Sequence, residues 1–175
     1  VIGAKLREYK AENIVIDPVM VATSGSALMV EGAGKTLVEE LFPLGSILTP
    51  NIPEAEALSG TEIKDRQDME EAARIISSFT GGAVLVKGGH LTDRADDLLY
   101  EQGKSTWLSG ERVENPNTHG TGCTLSSAIA CGLAAGKSLE DSVREAKAYI
   151  TGALKAGLNL GQGSGPLDHM WEMDF

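Results

Sequence analysis

Three short apolar runs in the first half of the chain are each stopped by a polar residue or a proline. Asn13 to Met20 reads Asn-Ile-Val-Ile-Asp-Pro-Val-Met, Ser46 to Thr49 runs into Pro50-Asn51, and Ala83 to Lys87 runs into Gly88-Gly89-His90. Continuous apolar runs suit strands buried on both faces, as in a parallel sheet. Between them the period changes to that of helices. Val1 to Lys10, with Ile2, Leu6 and Tyr9, reads as the tail of a helix begun upstream; Ala33 to Phe42 reads as a helix closed by Pro43. Pro53 through Ser59 fits a short helix with proline at its first position and Gly60 just past its end. Asp65 is placed as the N-cap of a helix carrying Met69, Ala72, Ala73, Ile76 and Phe79 on one face.

The second half continues the alternation. Leu98 to Tyr100 and Thr106 to Leu108 flank Gln102-Gly103-Lys104, a hairpin signal. A glycine turn at 120–122 leads into a small-residue helical run from Leu125 to Gly136. Ser138-x-x-Asp141 starts a last helix with Leu139, Val143, Ala146, Ile150, Ala153 and Leu154 in one stripe and Gly157 as its cap. Residues 21–31 and 161–166 read as loops. Buried strands alternating with helices imply an α/β domain over residues 1–175, with a mostly parallel sheet and right-handed crossovers, no repeat and no linker.

The polar residues follow this architecture. Asp17, Asn51, Lys87 and the Gly120 turn each follow a predicted strand or precede a helix, and open α/β sheets bind ligands at the carboxyl ends of their strands. The strongest signal is Asn117-Thr-His-Gly-Thr-Gly-Cys-Thr124. A glycine turn opening a helix aims backbone N–H groups and the positive end of the helix dipole at one point, which suits an anion such as phosphate. A negatively charged sulfur at Cys123 is favoured at the same place. The alternative is a tight turn with an incidental buried cysteine.

The other motifs are two-sided. Asn51-x-x-Glu54, with Glu56, either holds Mg²⁺ through water or simply caps a helix and complements its dipole, and the residues alone favour the cap. Lys87 either reaches phosphate oxygens, with the following glycines letting a nucleotide approach, or is a solvated strand-end lysine. Asp17 before Pro18 orients a substrate or metal, or forms a turn. His90 and His119 have the same double reading, whereas Cys131, mid-helix among alanines, is expected to be a packing residue. Gly32-Ala-Gly-Lys-Thr36 falls short of a P-loop, because Met29 stands where that motif needs glycine.

Composition narrows the class. An apolar fraction of 42% with 23% charged residues is that of a globular protein. The net charge of −10 argues against nucleic acid or an anionic membrane as the main partner. Cys123 and Cys131, roughly 12 Å apart along a helix axis, cannot form a disulfide with each other. With no secretory leader and no run of about 18 apolar residues, a cytoplasmic setting is expected. The chain begins at Val1 without a methionine, which suggests a piece of a longer protein.

Taken in order, Asp17-Pro-Val-Met20, Thr49-Pro-Asn-x-x-Glu-Ala-Glu56, Val86-Lys-Gly-Gly-His90, Thr118-His-Gly-Thr-Gly-Cys-Thr124 and Gly163-Ser-Gly-Pro166 resemble the hydroxymethylpyrimidine/phosphomethylpyrimidine kinases of thiamine biosynthesis, in the ribokinase-like superfamily. The resemblance covers almost the whole chain. Cysteine at 123 is its discriminating residue, since sugar kinases of the superfamily carry aspartate there. It implies a three-layer α/β/α fold lacking its N-terminal strands, and ATP-dependent phosphorylation of 4-amino-5-hydroxymethyl-2-methylpyrimidine and then of its monophosphate. By the same resemblance, Cys123 is the base and Gly120, Thr121 and Gly122 form the anion hole. Lys87 serves the ATP phosphates; Gly88, His90, Thr118 and Asn51 belong to the nucleotide site; Glu54 and Asp17 serve Mg²⁺, Glu54 together with Asn51 through water. The helix beginning near Ser138 helps wall the adenine pocket. ATP and a small pyrimidine are the expected partners, and a homodimer the expected assembly. The rival readings are a pyridoxal or pyridoxine kinase of the cysteine type and a nucleotide-binding piece without catalysis.

Overall fold

Proline decides where the first two strands stop. A proline has no N–H to add to a ladder, and Asp17-Pro18 and Thr49-Pro50 follow directly on β1 (Val15–Ile16) and β2 (Ile47–Leu48). Both strands are therefore shorter than their apolar runs. The computed structural model describes residues 1–20, 32–89, 95–115, 119–158, 160 and 165–173, and the chain divides into two compact units, Val1–Gly110 and Glu111–Phe175.

The first unit is built on a five-stranded mixed sheet in the order β1-β2-β3-β4-β5. β1, β2 and β3 (Ala83–Val86) run parallel, with Ile16 opposite Leu48 and Leu48 opposite Val84. β4 (Asp97–Glu101) and β5 (Lys104–Leu108) add an antiparallel hairpin to the edge of β3. Gln102 and Gly103, both with positive φ, make the two-residue turn that such a hairpin requires. Val84, Val86 and Leu98 enter one core with Phe42, Met69, Ala72 and Ile76, while Leu85 and Leu99 alternate with them and are also buried.

Helices pack on this sheet from sequence signals that are local. α1 (Ile2–Glu8) is tied through Arg7 to Glu40. The stretch predicted as one helix over 33–42 is instead α2 (Ala33–Thr36), a π turn at Leu37–Leu41 and a 3₁₀ turn at Phe42–Leu44. Pro43 cannot donate an α-helical bond, so the chain tightens there while Phe42 is fully buried. α3 (Ile52–Ser59) ends on Gly60 in the left-handed region. α4 (Arg66–Ser77) is capped by Asp65, whose carboxylate accepts from the N–H groups of Gln67 and Asp68. It lays Met69, Ala72, Ala73 and Ile76 into the core.

The second unit is a helix pair. α5 (Thr121–Ala134) and α6 (Leu139–Ala156) pack closely at Gly132, where an added Cβ would lie 2.7 Å from the Ser142 hydroxyl oxygen. Ser138 caps α6, accepting from the Asp141 N–H, and Gly157 closes it with positive φ. The predicted stripe is only partly buried: Val143, Ala146 and Ala153 are, while Leu139, Ile150 and Leu154 are half-buried. Ser142, polar and outside the stripe, is buried because its hydroxyl donates to the Ser138 carbonyl. Leu167 of the tail is buried and Trp171 lies against Gly152.

Candidate active site

In the first unit, the carboxyl edge of the parallel strands gathers residues from three distant stretches. Asp17 follows β1, Thr49 and Asn51 follow β2, and Lys87 follows β3. The Lys87 N–H donates to the Pro50 carbonyl at 2.9 Å, and Asn51 pairs with Lys87 in an isolated parallel bridge, so the ladder reaches past both strand ends. The Lys87 ammonium donates to Asp17 Oδ1 at 2.9 Å, with side chains only 17% and 14% exposed. The Thr49 hydroxyl lies 3.2 Å from the same oxygen.

Asn51 and Glu54 meet this edge through a capping box. The Glu54 N–H donates to Asn51 Oδ1 at 2.9 Å, and the Asn51 N–H donates to Glu54 Oε2 at 2.8 Å. The cap reading of this motif is therefore present in full. It also bears on the ligand reading, since the Asn51 amide oxygen is engaged by the cap. That oxygen keeps a second lone pair, which a water of a metal ion's shell could use, and the amide nitrogen is a donor suited to a nucleotide.

Glu54 does more than cap. It is buried, and that burial raises its carboxyl above the usual range. The Asn51 N–H and the Lys87 charge pull it back down, and the Asp17 charge pushes it up again. Asp17 pairs with Lys87, and Glu54 lies close enough to feel both charges, so two carboxyl groups and one lysine sit together in a poorly solvated place. Mg²⁺ suits that donor set, since it takes one or two carboxylates and completes its shell with water and phosphate oxygens. Among the described residues there is no group of three or more His, Cys, Asp or Glu able to hold a metal unaided.

Gly88 has a different reason for being glycine than a close nucleotide. Its N–H donates to Asp97 Oδ1 at 2.9 Å, and a Cβ there would collide with the Asp96 carbonyl oxygen. The Asp96 backbone is thus a reason for glycine at this position that involves no ligand. Asp97 and Asp96 were not singled out from sequence. Asp96 accepts from the Gly110 N–H at 3.2 Å and pairs with Arg66, whose guanidinium lies 4.5 Å from the centre of the Trp107 ring.

In the second unit, Gly120 adopts φ +84° at the N-cap of α5, a left-handed conformation that favours glycine. The first closed turn of the helix is the Thr124 N–H to the Gly120 carbonyl, at 2.9 Å. The N–H groups of Gly122 and Cys123 precede it and point along the helix axis, as at any helix N-terminus. Cys123 is exposed, not buried as the alternative reading required. His119 is exposed in the same turn, whereas His90 and Thr118 lie outside the described residues.

Cys131, predicted as a packing residue, is exposed as well. Both cysteines line a cavity of about 620 Å³ that runs along α5 and is walled by Ala146 and Tyr149 of α6 and by His169 of the tail. The small side chains of α5 leave this space, since Ser127 and Ala128 fill little of it. The Tyr149 hydroxyl donates to the His169 carbonyl at 3.0 Å, which fixes the tail against the cavity.

The fold is an α/β domain with polar residues gathered at the carboxyl edge of its parallel strands, and comparisons place it in a family. The model of the family described as phosphomethylpyrimidine kinase matches residues 1–168. A hydroxymethylpyrimidine/phosphomethylpyrimidine kinase of Streptomyces coelicolor is 45% identical over 91% of this chain. Among solved structures, an ADP complex of Bacillus subtilis pyridoxal kinase superposes with a TM-score of 0.86 at 34% identity over 98% of this chain. Phosphomethylpyrimidine kinase of Clostridium difficile does so with a TM-score of 0.73 at 38% identity over 86%. The chain belongs to the phosphomethylpyrimidine kinase family. It spans 59% of the length of the Streptomyces relative, and 64% and 61% of the two solved chains. Among the described residues no helix is long and apolar enough to cross a membrane.

Proposed function

We propose that the protein carrying this chain transfers the γ-phosphoryl group of ATP to the hydroxyl of 4-amino-5-hydroxymethyl-2-methylpyrimidine, and then phosphorylates the resulting monophosphate to the diphosphate. The observation that carries the proposal is the Asp17–Lys87–Glu54 cluster on the carboxyl edge of a parallel sheet, in a chain of this family. Phosphoryl transfer asks little covalent help and much placement of charge. A poorly solvated lysine balances polyphosphate charge, and the carboxylate charge is what Mg²⁺ would balance in turn. Glu54 and Asp17 would hold that ion, largely through water, and it would draw charge from the ATP phosphates.

This chain's own groups supply the rest. Lys87 turns its ammonium from Asp17 toward phosphate oxygens, and the Asn51 amide nitrogen donates to the nucleotide. Thr118 and His90 take nucleotide contacts. The backbone N–H groups of the Gly120-Thr121-Gly122 turn hold the transferring group, and Cys123 accepts the proton of the substrate hydroxyl. The oxygen–hydrogen bond breaks as the oxygen–phosphorus bond forms, and ADP leaves with the electron pair of the cleaved bond. We place the protein in the cytoplasm and expect it to work as a homodimer.

A second reading has one observation in its favour. The pyridoxal kinase structure superposes with the higher TM-score, 0.86 against 0.73. Coupled measurement of ADP release by the full-length protein, with the hydroxymethylpyrimidine and with pyridoxal in parallel, separates the two. The proposal requires higher kcat/KM for the pyrimidine. Preference for pyridoxal would transfer the assignment to that kinase. Nucleotide binding without ADP release from either substrate would leave a binding module.

A further inference from the structure

Asp17 has two partners of unlike mobility. Lys87 is a long side chain at a strand end, whereas Thr49 is fully buried and its backbone N–H is fixed to the Ile16 carbonyl at 2.9 Å. The Thr49 hydroxyl has one proton and two acceptors within reach, Asp17 Oδ1 at 3.2 Å and the Ile16 carbonyl at 3.5 Å. That carbonyl already accepts the Thr49 N–H, and a bond to a carboxylate is the stronger of the two. The proton therefore belongs on the Asp17 side.

We propose that Thr49 is a positioning residue that holds the Asp17 carboxylate in place when Lys87 leaves it for a phosphate. The proposal rests on the reading above, in which Lys87 serves ATP and Asp17 serves Mg²⁺. Without the hydroxyl, Asp17 is a poorly solvated carboxylate near Glu54 whose other side-chain partner among the described residues, Lys87, departs on nucleotide binding. It is then free to follow Lys87, and the ammonium and the metal compete for it. With the hydroxyl, one carboxylate oxygen keeps a fixed donor through the exchange. Thr49 acts through Asp17, so its effect falls on nucleotide and metal affinity rather than on the chemical step.

The test uses the full-length protein and two binding readouts besides activity: calorimetric titration with MgATP, and the Mg²⁺ concentration needed for half-maximal binding of the non-hydrolysable analogue AMP-PCP. Thr49→Val keeps the shape and removes the hydroxyl; Thr49→Ser keeps the hydroxyl. Thr49→Val is expected to weaken both readouts by about tenfold, the scale of a lost hydrogen bond to a charged group that water partly replaces. Thr49→Ser is expected to match the wild type, with kcat little changed in either. In an Asp17→Asn background, Thr49→Val is expected to add little. Thr49→Val binding like the wild type overturns the proposal. So does Thr49→Ser weakening as much as Thr49→Val, or an additive loss in the Asp17→Asn background. If Thr49→Val does not fold, Thr49→Ala carries the same contrast with serine. Asp17→Asn binding MgATP like the wild type would instead overturn the reading on which the proposal rests.

Discussion

Replacing Lys87 with methionine removes the cation paired with Asp17 while keeping most of the side chain's volume. At 2.9 Å and an effective dielectric constant of about 20, the gross attraction between Lys87 and Asp17 is about 6 kcal/mol. Desolvation of both ions offsets much of that. Breaking a fully buried pair by deleting one partner costs about 3–5 kcal/mol, because the other charge is left uncompensated. Here both side chains keep a sixth or so of their exposure and the Thr49 hydroxyl still reaches Asp17, so about 2–3 kcal/mol is expected at pH 7. In thermal unfolding that is a fall in Tm of roughly 5–10 °C for a chain of this size.

The pH dependence of that loss has a definite sign. The Glu54 carboxyl is already raised by burial, and the Lys87 charge is one of the influences restraining it. Without Lys87 it rises further, and a carboxyl raised in the folded state binds more protons folded than unfolded. The deficit of Lys87→Met is therefore largest at neutral pH and shrinks as the pH falls toward the ordinary carboxylate range. Urea unfolding of the wild type, Lys87→Met, Asp17→Asn and the double variant at pH 7 and pH 5 measures this directly. The double variant is expected to recover most of the loss, since it buries no unpaired charge at that position. A Lys87→Met protein as stable as the wild type would refute the reasoning, and so would a double variant less stable than Lys87→Met alone.

Three further outcomes follow from the same structure. Glu54→Gln is expected to stabilise the protein at pH 7 relative to the wild type, with the advantage fading as pH falls through the raised carboxyl's range to its unfolded value of 4.5, and to lose Mg²⁺-dependent turnover; parallel denaturation and activity profiles check both. Gly88→Ala is expected to cost at least about 1–3 kcal/mol, because its Cβ meets the Asp96 backbone rather than a flexible side chain, and its urea midpoint would show it. Cys123→Ala is expected to slow phosphorylation of the hydroxymethylpyrimidine more than that of its monophosphate, since an alcohol needs a base and a phosphate oxygen does not; equal losses with the two substrates would point to anion binding instead.

What the sequence showed most clearly was local. Asp65, Ser138, Gly60 and Gly157 cap helices as read, because caps depend on neighbours within a few residues. The hairpin around Gln102-Gly103 is legible for the same reason. The strand ends were legible as places, and the edge that gathers Asp17, Asn51 and Lys87 could be expected from the rule that ligands bind there. The contacts between them were not. Lys87 and Asp17 are 70 residues apart, and nothing in either motif says that the two will pair. Thr49 read as the last residue of a short strand before proline, and Asp17 comes within reach of its hydroxyl only because β1 lies beside β2. Gly88 shows a converse limit, because the Asp96 backbone requires glycine there and no local motif announces it. Cys131 stands among alanines as a core residue would, yet the small side chains around it leave that face of α5 open.

Phosphoryl transfer to a hydroxymethylpyrimidine at this edge can be followed by phosphorus NMR of the full-length protein incubated with Mg²⁺, ATP and 4-amino-5-hydroxymethyl-2-methylpyrimidine. The account predicts a pyrimidine monophosphate signal that rises first and is then replaced by that of the diphosphate, with ADP formed in step. ADP without any phosphorylated pyrimidine, or faster appearance of pyridoxal phosphate in a competing mixture, would contradict it.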